Sequence, residues 1–159
     1  MQNKENRVSP PATASATIGT NTITIVYSSP LVKGRAIWGS LVPYNEVWRT
    51  GANEATTINF TQDVLIEGQS LPKGIYSLFT IPGPEEWVVI FNLNETQWGA
   101  FKYEQSEDAL RVNVKPVVTE SVQENLLFEV LNDATPNTGI VRMRWEKIQV
   151  DFHFVNAAE

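Results

Sequence analysis

The stretch Ala109-Leu110-Arg111-Val112-Asn113-Val114-Lys115 decides the fold: Leu110, Val112 and Val114 alternate strictly with Arg111, Asn113 and Lys115. A period of two belongs to a strand with one buried and one wet face. The same rhythm returns at both ends of the chain. Ile23, Ile25 and Tyr27 alternate with Thr22, Thr24 and Val26 after a Gly19-Thr20-Asn21 turn, and Ile148, Val150, Phe152 and Phe154 oppose Gln149, Asp151 and His153. Ile75–Ile81 and Trp87–Phe91 are apolar at nearly every position, as expected of central strands covered on both faces. Pro82-Gly83-Pro84 forces a turn between them, and Leu71-Pro72-Lys73-Gly74 turns the chain into the first of the pair.

Gln123–Leu131 and Gly139–Trp145 complete the set, separated by the loop residues Asn132 to Gly139. No window of a dozen residues carries a helical stripe; the best local candidate for a helical turn is Pro43–Val47. The expectation is all-β: a single-domain antiparallel β-sandwich of jelly-roll or Greek-key type, with about nine or ten strands. Residues 1–14, polar and rich in Pro and small side chains, read as a disordered or tethering segment, 15–155 as the sandwich, and 156–159 as a C-terminal tail.

Bulk composition removes several chemistries. At 159 residues the chain is long enough for one well-buried core, and it has no cysteine. Thiol nucleophiles, thiolate-bound zinc and iron–sulfur clusters are therefore excluded. The net charge is -6, and the 12 Lys and Arg are scattered, which argues against nucleic acid as a partner. The acidic excess between Glu85 and Asp133 reads as a solvated surface. No apolar run is long enough to span a bilayer, so no membrane span is expected. No leader is legible in MQNKENRVSPPATASA, which fits a cytosolic chain or a mature one without its targeting segment. His153 is the only histidine, with no partners for a triad or a multi-histidine metal site. Neither a cofactor nor a metal is expected.

The densest polar and aromatic stretch is Pro43–Ile58, PYNEVWRTGANEATTI. Arg49 offers a planar fork suited to a carboxylate or phosphate, Asn53 and Glu54 complete a polar pocket, and Trp48 and Tyr44 supply walls. The competing reading makes Trp48 a core residue and lets Arg49 pin the loop by pairing with Glu54 or Glu46. Lys33 and Arg35 add an anion site if they converge with Arg49, and surface scatter if they do not. Gln97-Trp98-Gly99-Ala100-Phe101-Lys102-Tyr103 is a second cluster, with Lys102 and Tyr103 as further walls; packing against strands is its plainer explanation. Asn132, Asp133 and Asn137 lack the spacing of a calcium loop and serve equally well as turn residues.

Several of these segments together resemble a known family. SPPATAS at Ser9–Ser15, SSPLVKGRAIWGSLVPYNEVWRTGANEATTI from Ser28, LPKGIYSLFTIPG from Leu71 and QWGAFKY from Gln97 are similar to the bacterial domain of unknown function 2911, over about Ser9 to Phe154. The resemblance implies a protein common in Bacteroidetes and made with a secretion or lipoprotein leader, hence secreted or periplasmic. It implies no activity and carries over no site residue. The functional expectation is an extracytoplasmic domain that binds a small molecule or saccharide, or acts as an accessory domain, with a site at Arg49, Asn53 and Glu54 walled by Trp48, Tyr44, Arg35, Lys102 and Tyr103. A carboxylate-based saccharide hydrolase with Glu46 and Glu54 as acid and base is the alternative. A purely structural or interaction protein is the third reading. The oligomeric state is not legible.

Overall fold

The computed structural model describes residues 9–95 and 103–157. Among the described residues ten strands form two antiparallel sheets. They are β1 (Pro11–Ile18), β2 (Asn21–Ser28), β3 (Thr57–Phe60), β4 (Val64–Ile66), β5 (Gln69–Leu71), β6 (Gly74–Ile81), β7 (Trp87–Asn92), β8 (Asp108–Val114), β9 (Val117–Asn132) and β10 (Thr138–Asn156). The first sheet has the order β1-β2-β3-β6-β7-β8 and the second β5-β4-β10-β9. The chain leaves β3, makes the β4–β5 hairpin in the opposite sheet, and returns at β6 beside β3. The inward residues of both sheets meet in one core that includes Ile25, Ile58, Phe60, Leu78, Trp87, Phe91, Phe128, Met143, Trp145, Phe152 and Phe154.

The period-two segments become strands as the pattern requires. On β8, Val112 and Val114 are buried, and on β2 Ile23, Ile25 and Tyr27 are. The two uniformly apolar segments are β6 and β7, adjacent in the interior of the six-stranded sheet. Their second face is covered too: Phe79 and Ile90 are buried on the outside with Ala55, against Val47, Ile81, Val88 and Tyr103. Among the described residues there is no α-helix, and Pro43–Val47 forms turns, not a helical one, because Asn45 adopts a left-handed φ of 65°.

The N-terminal boundary lies earlier than the sequence suggests. Pro11 to Ala14, expected in the tether, pair with Ser28 to Ile25 as the start of β1. Pro11 is tolerated there because it opens an edge strand, where a missing N–H costs no ladder bond. Residues 1–8 of the expected tether lie outside the described residues. At the other end β10 extends to Asn156, and the Ala157 amide donates to Asp63 O at 2.8 Å.

β10 folds back on itself. In a straight strand Arg142 and Asp151 would be about 30 Å apart, yet Arg142 Nε and Nη2 reach the two Asp151 oxygens at 2.9 and 3.0 Å. Asn156 N–H donates to Asn137 O at 2.9 Å, and Gly139 lies against the Phe154 ring. All three pairs are symmetric about the Glu146–Lys147 peptide, and Glu146 has a φ of 57°. The run is thus a tight hairpin. Its first half pairs with β9, which also meets Ile148 and Gln149 just past the turn, and the end of its second half, Phe154 to Asn156, pairs with β4, which accounts for the sheet order. The separate strands expected at Gly139–Trp145 and Ile148–Phe154 are its two arms.

Gly139 is required by packing: a Cβ there would overlap Cζ of Phe154, lie 2.7 Å from its Cε1 and 3.0 Å from Leu131 O. Gly139→Ala should destabilise the protein by about 1–3 kcal/mol through overpacking, read by urea unfolding. A neutral result would mean that Phe154 has room to move.

Candidate functional site

The stretch Asn45–Thr56 is built largely as architecture. Its Trp48 continues the line of β3, exchanging backbone hydrogen bonds with Thr80 at 2.7 and 3.0 Å, while Thr56 O accepts from Leu78 N–H. Alternation then sends the Trp48 side chain inward, where it is buried. It stacks on Trp145 at 5.9 Å and 15° and meets Trp38 and Trp87 edge-on at 5.7 and 6.3 Å. The expected ligand wall is therefore a core side chain. Thr50 hydroxyl lies 3.1 Å from Thr80 hydroxyl and 3.2 Å from Trp48 O, and Thr56 hydroxyl donates to Thr50 O at 2.8 Å. Gly51 is pressed against Thr56 and Ser28, leaving a Cβ only 3.0 to 3.1 Å of clearance. These contacts hold the loop to the sandwich, and among the described residues the expected Arg49–carboxylate pin is not formed.

Other expected walls are also taken up. Arg35 curls onto its own loop, donating from Nε to Val32 O at 3.0 Å and from Nη2 to Leu31 O at 2.5 Å. It does not converge with Arg49 through any contact among the described residues. Tyr44 is partly exposed over Gly39, whose Cβ position would lie 2.7 Å from the ring. Asn53, at φ 58°, donates to Ser9 O at 3.3 Å. Glu46 is exposed at the turn whose Asn45 bonds Pro82 O, whereas Glu54 is half-buried at the returning limb beside Ala55. The structure thus sets the two candidate carboxylates on different limbs of the loop. Trp98 and Lys102 lie outside the described residues.

Arg49 stands apart. It follows Trp48, so alternation turns it to the outer face, the side on which Val47 packs against Phe79 and Ile90. Its Nε is buried and has no hydrogen-bond partner, and among the described residues the guanidinium forms no ion pair. Burial disfavours its charged form and pushes its pKa below the ordinary arginine value.

The loop leaves the sheet at Arg49 and returns at Ala55, which packs on Phe79 and Ile90. Ladder register continues the row: Phe79 faces Ile90, and Ile90 faces Arg111. Tyr103 closes the far side, its ring 4.9 Å from Phe79 and edge-on. Its hydroxyl donates to Asp108 Oδ2 and accepts from Arg111 Nη2 at 2.8 Å; Arg111 Nε reaches the same Asp108 oxygen at 2.8 Å, and Asn92 Nδ2 the other at 2.9 Å. Burial, then the hydrogen bond to Asp108, pushes the Tyr103 pKa up to about 12, so this hydroxyl keeps its proton at neutral pH. The outer face therefore carries a covered apolar layer, with a closed polar triangle at one side and, at the other, a cation that forms no ion pair among the described residues. Asp108 and Asn92 were not singled out from sequence; alternation put Arg111 on a wet face, but no local signal joined it to Tyr103.

A second concavity, unforeseen from sequence, occupies one end of the sandwich. It has a volume of about 530 Å³ and is lined by Thr20, Gln62, Pro136, Asn137, Val155, Asn156 and Ala157. Below it Asn21 Nδ2 donates to Asn156 Oδ1 at 2.9 Å, Asn156 Nδ2 donates to Ile18 O at 2.8 Å, and Asn21 Oδ1 accepts the Thr61 and Gln62 amides at 2.9 and 3.1 Å. Asn156 falls where the sequence suggests a tail, and nothing local marks its pairing with a residue 135 positions away.

The profile of the family described as Protein of unknown function (DUF2911) matches residues 9–154. Neither a curated protein nor a solved structure matches the chain.

Proposed function

The chain belongs to the DUF2911 family, whose description assigns no activity, and we propose that it is an extracytoplasmic binding or accessory domain for a small molecule or saccharide, held on the outer face of the six-stranded sheet. The observation that carries this reading is the Arg49 guanidinium. It is partly desolvated, its Nε has no hydrogen-bond partner, and no carboxylate pairs with it among the described residues. Holding a cation this way is unfavourable until an anion arrives, and a bidentate carboxylate is the partner its planar fork fits best. Phe79 and Ile90 on that face are fully buried, so apolar contact with such a ligand is left to the half-buried Val47 and Tyr103 that cover them. The extracytoplasmic setting follows the family resemblance. Hydrolysis has no comparable support, since Glu46 and Glu54 sit on separate limbs of the loop.

Glucuronate, galacturonate and benzoate, tested by thermal shift and calorimetry against glucose, are suitable probes. A carboxylate-dependent rise in melting temperature that disappears in Arg49→Ala is the expected outcome. The unfolding free energy of Arg49→Ala itself should lie within about 1 kcal/mol of the parent, because no partner is left stranded. A loss of about 3–5 kcal/mol would instead reveal a structural ion pair, and the site would be abandoned.

A further inference from the structure

We propose that the concavity at the end of the sandwich is a second binding site, for a neutral, hydroxyl-rich ligand such as a sugar ring. It is independent of the Arg49 face. Its volume of about 530 Å³ falls within the range of small-molecule sites. Among the described residues every side chain that lines it is uncharged: Thr20, Gln62 and Asn137 are polar, Pro136 and Val155 apolar, with Asn156 forming part of the floor.

The polar groups combine donors and acceptors in one place. Gln62 uses its Oε1 to accept from Thr20 at 2.7 Å and one Nε2 hydrogen to donate to Ala157 O at 3.2 Å. Its second N–H and the remaining lone pairs of Gln62 and Thr20 are left over. Asn137 makes no side-chain hydrogen bond among the described residues, so its amide keeps two donors and a carbonyl acceptor at the rim. A hydroxyl both donates and accepts, so neighbouring sugar hydroxyls complement such a mixture, while an ion of either sign finds no counter-charge in the lining. Val155, an exposed apolar side chain, and Pro136 offer surface to the C–H face of a ring.

The site is also held in shape before any ligand arrives. The β1–β2 turn, the β3–β4 turn, the loop into β10 and the chain end all converge on Asn21 and Asn156. Asn21 is fully buried, and the pair bonds to Ile18, Thr61 and Gln62 while the Asn156 amide bonds to Asn137 O. Asn137 Oδ1 lies so close to Gly19 that no Cβ fits there. A rigid, prepared site loses less freedom on binding than a mobile one.

Backbone amide chemical shifts of the full chain, followed during titration with glucose, galactose, N-acetylglucosamine and cellobiose, test the proposal. At least one of these is expected to perturb Thr20, Gln62, Asn137 and Ala157 together, with saturation. Asn137→Gly removes the amide while suiting the backbone φ of 63°, so it should keep the melting temperature and weaken binding roughly tenfold, the worth of about one good hydrogen bond. Arg49→Ala should leave these shifts unchanged, which separates this site from the anion site. Absence of saturable shifts with all four sugars, perturbations confined to other surfaces, or undiminished binding by Asn137→Gly would each overturn the proposal.

Discussion

Trp48→Ala is expected to lower the unfolding free energy by about 3–5 kcal/mol, the range for emptying a large aromatic site in a core. Only 8 % of Trp48 is exposed, and it belongs to a four-indole cluster. Trp145 stacks on it, Trp38 and Trp87 meet it edge-on, and Trp38 in turn touches Trp87 at 5.1 Å and Trp145 at 5.8 Å. Removing one ring leaves three others with a shared void, and aromatic pairs of this geometry add stabilisation beyond their buried area. The indoles come from different places: Trp38 and Trp48 from the long connection between β2 and β3, Trp87 from the six-stranded sheet, and Trp145 from β10. The cluster therefore fastens that connection to both sheets, and its loss should loosen the whole segment that presents Arg49. Urea unfolding followed by far-ultraviolet circular dichroism is the suitable measurement, because fluorescence would report the altered cluster as well as unfolding. Amide exchange should quicken at position 48 and at Thr80, whose mutual backbone hydrogen bonds depend on the anchor. A change within about half a kcal/mol would mark Trp48 as a surface residue after all, and return it to the list of ligand walls.

What is legible in the sequence is what is local. Alternation on β2 and β8 and unbroken apolarity on β6 and β7 each announce burial within a handful of residues, and the strands form as read. The two arms of the β10 hairpin were legible for the same reason. β1 was not, because its Ala, Thr and Ser side chains suit a tether as well as an edge strand; pairing to β2 decides between them. Within Pro43–Ile58 the residue types suggested a surface site, but composition cannot say which way a side chain points. Two bonds to Thr80 set the local register, and from that register Trp48 is core and Arg49 faces outward. The Tyr103–Asp108–Arg111 triangle needs β8 placed beside β7 and is invisible before that. The amide pair at the sandwich end is the extreme case, since it joins residues near opposite ends of the chain.

That pair carries the other large expected effect. Asn21→Ala should cost about 2–4 kcal/mol, because the Thr61 and Gln62 amides lose their shared acceptor and Asn156 Oδ1 loses its donor in a buried setting. Each stranded polar group costs more than the average hydrogen bond gains, so the penalty is larger than a count of bonds suggests. Asn156→Ala should cost less, about 1–3 kcal/mol. It strands Ile18 O and one Asn21 N–H, while the other contact of that nitrogen, to Gln62 O at 3.4 Å, remains. The double variant is the informative one. If the two amides act as a unit, the combined loss should fall short of the sum by about 1 kcal/mol or more, since the second substitution removes a group the first has already orphaned. Asn21 belongs to the six-stranded sheet and Asn156 to the other, so this coupling measures how firmly a polar link joins the two layers. Additive losses would show two separate local contributions, and the end of the sandwich would then owe its shape to the apolar core beneath it.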